Sequence, residues 1–379
     1  MKLYNDYRQY FEKTLQGRYV TLAHILPLLN RYKNEYEISE IGTSELGKKI
    51  PMIKLGHGTE KVLGWSQMHG NEATTTKAIL DFIKLVSEQK IYKKEMLDFL
   101  QEYTFYIIPV LNPDGAANYT RENANKIDLN RDAQNLTQSE SRALATIFKN
   151  LNPDLCLNLH DQRTIYGFKT GKPATISFLA PAANKKRSVT PSRKTAIQHI
   201  ETMTGVLKTV LPGQIGRYDD AFNPDCVGDS FQMAGVPTIL FEAGHIADDY
   251  QREASRKYVC IALLALFGIV VAPETNILPY RKIPENRKNF KDILLRNVKI
   301  PEFSKAKDVA FQYKEELVGD VVQFVLYVDE IGGLTTYFGH KEFNLKGAEI
   351  LVNSQKKYQV GEKVLEIVNN NDDSVLFIK

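Results

Sequence analysis

A chain of 379 residues with 43% hydrophobic and 25% charged content has room for one large core or two unequal domains. A formal charge of +4, with Lys185-Lys186-Arg187 as its densest basic run, argues against a nucleic-acid partner. Three unpaired-looking cysteines, charges within residues 1–8 and a longest apolar stretch at 258–272, short of the roughly 20 residues that span a bilayer, argue against a disulfide scaffold, a leader and a membrane partner, so a cytoplasmic protein is expected.

Tyr4, Tyr7 and Phe11, then Leu22, Ile25, Leu26 and Leu29, recur at helical spacing, and residues 37–41 and 51–55 alternate as strands about a turn-rich 42–47. From 61 to 272, strands at 62–67, 104–110, 154–160, 175–179 and 237–242 interleave with helices at 75–89, 139–149, 192–210 and 250–271. That alternation predicts an α/β fold whose sheet is covered by helices on both faces. A break rich in proline, asparagine and charge spans 273–288, and beyond it strands are expected at 321–328, 349–352, 363–368 and 374–378. The expected organisation is a catalytic domain over 1–275, a linker over 276–295 and a small β-rich domain over 296–379 that carries no cluster suggestive of chemistry.

His69-Gly70-Asn71-Glu72 follows the strand at 62–67, and an isolated His160 ends the strand at 154–160. A His₂Glu set leaves one coordination position of a tetrahedral zinc open for water. Residues leaving the carboxyl ends of strands in an open α/β sheet line its ligand crevice. The competing reading is a loop histidine beside a Glu72 that caps the next helix. Three further segments stand out: Asn112-Pro113-Asp114-Gly115, read as a turn; Thr120 to Arg131, which ends in Asp128-Leu129-Asn130-Arg131; and the apolar strand ending in Glu242.

In this order (H-x-x-E after a strand, N-P-D-G, an arginine followed by D-L-N-R, a lone histidine ending a strand, a glutamate ending a late strand), residues 20–272 resemble the zinc carboxypeptidase family. Thr120 to Arg131 and Ser139 to Ala143 are most similar to its bacterial branch, which includes murein peptide amidases. The resemblance implies a central mixed sheet with helices on both faces and one Zn²⁺ per chain held by His69, Glu72 and His160. It makes Arg121 the group that polarises the scissile carbonyl, Asn130 and Arg131 the grip on a substrate carboxylate, and Glu242 the general base and then acid for zinc-activated water. Tyr218 is the nearest residue to the tyrosine that often closes the family's site. The implied substrate is a peptide or acylated amino acid cleaved at an amide next to a free carboxylate. The chemistry is coherent, because zinc lowers the pKa of bound water to about 7 and a guanidinium fork suits both a carboxylate and a developing oxyanion. Lys126, Asp132 and Ala133 depart from the family's usual glycine, asparagine and aromatic around D-L-N-R. Glu242-Ala243-Gly244-His245 is also similar to aspartoacylase and succinylglutamate desuccinylase, so a zinc-dependent N-acyl-amino-acid deacylase is one alternative. A catalytically silent peptide-binding relative is the other. His245 is expected outside the ligand set, and Asp161 either orients a ligand or is a solvated loop residue.

Overall fold

The structure, a computed structural model, describes residues 2–273 and 277–379, so the domain boundary expected at 275 lies outside the described residues. In chain order its helices are α1 (Lys2–Tyr10), α2 (Leu22–Tyr32), α3 (Thr74–Glu88), α4 (Lys93–Glu102), α5 (Pro113–Asn118), α6 (Ser139–Leu151), α7 (Pro191–Leu207), α8 (Val227–Met233) and α9 (Glu253–Leu266). Its strands are β1 (Glu37–Thr43), β2 (Lys49–Leu55), β3 (Glu60–Ser66), β4 (Tyr103–Ile108), β5 (Leu155–Asp161), β6 (Tyr166–Gly167), β7 (Ile176–Leu179), β8 (Ile215–Arg217) and β9 (Thr238–Ala243). There follow β10 (Arg287–Lys288), β11 (Phe290–Val298), β12 (Lys307–Val318), β13 (Val321–Gly332), β14 (Phe338–Asn344), β15 (Ile350–Val352), β16 (Lys363–Val364), β17 (Glu366–Asn369) and β18 (Val375–Ile378). Among the described residues no helix is long and apolar enough to cross a membrane.

Two compact units result. One takes the chain as far as Gln162 and again over Ala174–Asn286; the other takes Arg163–Pro173 and Arg287–Lys379. The first is built on an eight-stranded sheet in the order β1-β2-β4-β3-β5-β9-β7-β8. The central pairs β4–β3, β3–β5 and β5–β9 are parallel, while β2 and β7 pair antiparallel with β4 and β9. Period-2 alternation sends each central strand's side chains into two cores. Val62 lies in one and Leu63 and Trp65 in the other; Phe105 and Ile107 part from Ile108, and Leu155, Leu157 and Leu159 from Cys156. Ile79, Phe82 and Ile83 of α3 and the apolar length of α9 fill the first core; Ala143 and Leu144 of α6 and Val227 and Phe231 of α8 fill the second. This is the expected α/β architecture, a mixed sheet with helices on both faces.

The second unit has a five-stranded sheet, β14-β11-β12-β13-β16, and a three-stranded one, β15-β17-β18. They share a core of Ile293, Leu295, Phe311, Leu326, Val352 and Ile367 among others. The strand expected at 363–368 is divided between the two sheets. The side chain of Asn353 accepts from the Leu365 N–H (2.7 Å) and donates to the Lys363 carbonyl (2.8 Å), which takes up the backbone groups at the break.

Candidate active site

The chain leaves β3 toward β4 on one side and returns as β5 on the other. Strand order therefore reverses at β3–β5, and a crevice opens beyond their carboxyl ends. His69 and Glu72 lie just past β3, His160 lies at the end of β5, and Glu242 stands level with His160 across the parallel β5–β9 ladder.

Two motifs hold the first loop between them. Gly70 passes so close to α5 that a β-carbon there would lie 1.9 Å from the Gly115 carbonyl carbon, so only glycine fits. Asn112 donates from Nδ2 to Met68 O (3.2 Å) and accepts at Oδ1 from the Gly115 N–H (2.8 Å). Asn71 N–H reaches Thr120 O (3.1 Å). The turn expected at Asn112 to Gly115 is thus the start of α5, with Asn112 as its cap and Pro113 in the first turn.

The donor atoms converge. His69 Nδ1 lies 2.9 Å from Glu72 Oε1, His160 Nδ1 lies 2.8 Å from Glu72 Oε2, and the two Nδ1 atoms are 3.1 Å apart. One ligand atom from each of the three buried residues falls within 4.8 Å of the others. Buried His160 Nε2 and Glu242 Oε2 have no hydrogen-bond partner among the described residues. Two imidazoles and a carboxylate turned on one point fit a small divalent cation with a position to spare, and the set has zinc's preferred donors. Glu72 does not cap α3; Asp161 does, accepting from Thr74 N–H (3.0 Å) and Thr75 N–H (3.4 Å). Asp161 is therefore no solvated loop residue. His245 is buried against Tyr250 (ring centroids 4.6 Å apart) and lies outside the cluster.

Asp128, a motif residue to which the sequence assigned no role, joins the parts. One oxygen meets His69 Nε2 (3.0 Å) and the Asn130 N–H (2.9 Å); the other accepts from Arg121 Nε (3.1 Å) and Nη2 (3.0 Å). Burial pushes its carboxyl up, but His69 and Arg121 outweigh that and hold it well below the usual range. A carboxylate on a ligand's second nitrogen fixes the tautomer that leaves Nδ1 free for a metal. Asp128→Asn is expected to weaken zinc binding about 10- to 100-fold, as read by chelator competition.

Arg121 also approaches Glu72 Oε1 (3.4 Å), and its side chain is 42% exposed, which leaves part of the fork open to a substrate. Asn130 accepts at Oδ1 from the Val227 N–H (3.0 Å), so its Nδ2 is the end left to donate. Arg131 is exposed, and its Nη1 donates to Asn130 O (2.6 Å) and Cys226 Sγ (3.1 Å). Tyr218 is not gathered with them by the sheet. It follows β8, two strands beyond β9 and running antiparallel to it, so β8 leads away from the edge that holds Glu242. Burial and the Glu72 and Asp161 carboxylates push the half-buried Glu242 carboxyl well above its usual range, with only Arg121 opposing them.

A profile of the zinc carboxypeptidase family matches residues 22–209. Carboxypeptidase D of Anas platyrhynchos is 27% identical over 161 residues, which is 35% of this chain and 11% of that protein. Gamma-D-glutamyl-L-diamino acid endopeptidase 1 of Lysinibacillus sphaericus is 31% identical over 80 residues, 20% of either chain. The chain thus spans a fifth or less of the length of these curated relatives. A metallo-carboxypeptidase from Burkholderia cenocepacia shares the fold with a TM-score of 0.55 at 15% identity, over 66% of this chain and 69% of that one. The matched segment, just under half of the chain, contains His69, Glu72, Arg121, Asp128 and His160, and it is residues 22–209 that carry the zinc carboxypeptidase family's pattern, on a sheet that shares that fold.

Proposed function

We propose that this chain is a zinc-dependent carboxypeptidase, with one zinc per chain at His69, Glu72 and His160, that hydrolyses the amide next to a free carboxylate in a peptide. The observation that carries this reading is the convergence of both Nδ1 atoms and both Glu72 oxygens beside Glu242. When bound, zinc supplies Lewis acidity and lowers the pKa of a coordinated water to about 7. Glu242 accepts a proton at its carboxylate and returns it to the leaving amine, a task suited to a carboxyl whose proton affinity its surroundings have raised. Arg121, anchored on Asp128 along one edge, turns its remaining N–H groups to the carbonyl oxygen as negative charge develops there. Asn130 Nδ2 and the Arg131 fork bind the terminal carboxylate, and Tyr218, which the sheet does not bring to them, has no place in this reading.

The test is product analysis on a peptide set that includes ordinary α-peptides and, after the name of one relative, γ-D-glutamyl-diamino acid bonds. Release of the residue bearing the free carboxylate, lost on chelation and regained with zinc, is the expected result. Hydrolysis confined to N-acyl amino acids, or none by zinc-loaded protein, overturns it.

A further inference from the structure

Residues 11–21 join α1 to α2 with neither helix nor strand, yet Leu15, Arg18 and Val20 are buried. This arm reaches both segments that carry the metal ligands. Arg18 Nη1 donates to Thr74 Oγ1 (2.9 Å) and Asp161 Oδ2 (3.0 Å), with the two charged side chains 6% and 2% exposed. Val20 O accepts from Gln67 Nε2 (2.8 Å), which also donates to Gly70 O (2.9 Å), inside the loop that bears His69 and Glu72. Asp161 follows His160 directly, and its own N–H donates to Glu72 Oε2 (3.1 Å). Its own carboxylate is buried one residue past His160, in the electrostatic surroundings of Glu242. A buried anion in such company is costly unless a cation and hydrogen-bond donors offset it. The first N–H groups of α3 are the donors and Arg18 is the cation.

We propose that Arg18 is a positioning residue for the metal centre: by holding the Asp161 carboxylate on the N-terminus of α3, it keeps the Asp161 N–H on Glu72 Oε2 and so fixes the Glu72 carboxylate between the two histidines. Arg18 acts through Asp161 and Thr74, and among the described residues no hydrogen bond or ion pair joins it to His69, Glu72 or His160. The inference rests on the metal reading above, and the test separates the two.

Zinc affinity is measured on the full chain by chelator competition, alongside the visible spectrum of the cobalt-loaded protein. Arg18→Met is expected to lose about 10- to 100-fold in affinity and to shift the cobalt bands, as outer partners of metal ligands do. Arg18→Lys regains part of the loss, since the charge stays while the fork goes. Asp161→Asn also binds more weakly, and combining it with Arg18→Met gives losses that do not multiply, because the two residues act as one unit. Lys77→Met is the control: it removes another arm contact, Lys77 Nζ to Gly17 O (2.7 Å), with its bonds to Glu253 (2.6 Å) and Gln251 O (3.1 Å), none of them to Asp161, and is expected to leave zinc affinity unchanged. Wild-type affinity in Arg18→Met overturns the inference, as does an equal loss in Lys77→Met, which would make arm docking alone the cause. Should Arg18→Met not fold, unchanged affinity in both Arg18→Lys and Asp161→Asn overturns it as well. Wild-type protein that takes up no zinc overturns the metal reading itself, before any variant is compared.

Discussion

Glu242→Gln is expected to keep its zinc and lose about 10²- to 10⁴-fold in kcat, with KM for a peptide little changed. The substitution is nearly isosteric and sits on a parallel ladder whose backbone bonds it leaves alone. Glu242 Oε2 has no hydrogen-bond partner to lose among the described residues. What disappears is a group that can take a proton and give it back. Stability supplies a second readout. Burial first, then Glu72 and Asp161, raise the folded-state proton affinity of Glu242 above its unfolded value, so this carboxyl penalises the metal-free fold above the ordinary carboxylate range, and in full at pH values above the raised range. The glutamine variant should then be the more stable apo-protein at neutral pH, and its advantage should fade as the pH falls from the raised folded-state range and be gone once the pH is below the ordinary carboxylate range. Metal analysis with steady-state kinetics decides the catalytic part; unaltered turnover removes Glu242 from the chemistry.

The strands that build the site were legible because their patterns are strong. The runs at 62–67, 154–160 and 237–242 lie within a residue or two of β3, β5 and β9, each buried on both faces by helices. H-x-x-E and the isolated histidine were legible too, since strand ends in such a sheet converge at the switch point. Short helices were not. N-P-D-G reads as a turn until Asn112 is seen to cap α5 and Gly115 to lie under Gly70. The strand β11 escaped because Lys291 and Asp292 interrupt its apolar run, although both are buried with partners: Lys291 on Asp329 and Glu330, Asp292 on Gln312 and the Tyr313 N–H. Roles set by distant partners were the least accessible. Asp128 acquires one from His69, 59 positions earlier, and Asp161 from Arg18, 143 positions earlier; no local pattern announces either contact. Lys126, Asp132 and Ala133 were conspicuous as departures, and of these Asp132 has a local task, accepting from Thr137 N–H (3.0 Å) and Gln138 N–H (2.9 Å) ahead of α6.

Arg256→Met is expected to destabilise the first unit by about 3–5 kcal/mol, the range for removing one partner of a buried ion pair. Arg256 of α9 and Asp81 of α3 have fully buried side chains, joined by Nε to Oδ2 (2.6 Å) and by Nη2 to Oδ1. The same guanidinium donates to Glu12 O (2.8 Å) and Leu15 O, pairs with Glu253 (3.1 Å) and lies 4.9 Å from the centre of the Phe11 ring. Asp81 accepts besides from Tyr7 Oη and the Glu12 N–H (2.7 Å). The pair therefore ties α3, α9 and the arm that leads to Arg18 into one buried network. The two ends are unequal. Without Arg256, Asp81 keeps two neutral donors for a buried negative charge; in Asp81→Asn, Arg256 keeps Glu253 and two carbonyls. Asp81→Asn should accordingly cost less than Arg256→Met. Adding Asp81→Leu to Arg256→Met should recover much of the loss, because the stranded charge goes with it. The sole tryptophan, Trp65, is fully buried in β3, so its fluorescence during urea unfolding follows the first unit by itself. A midpoint shift worth less than about 1 kcal/mol in Arg256→Met would show that water and the neutral donors Tyr7 and Glu12 N–H already compensate Asp81, and that the arm is held by its apolar contacts instead.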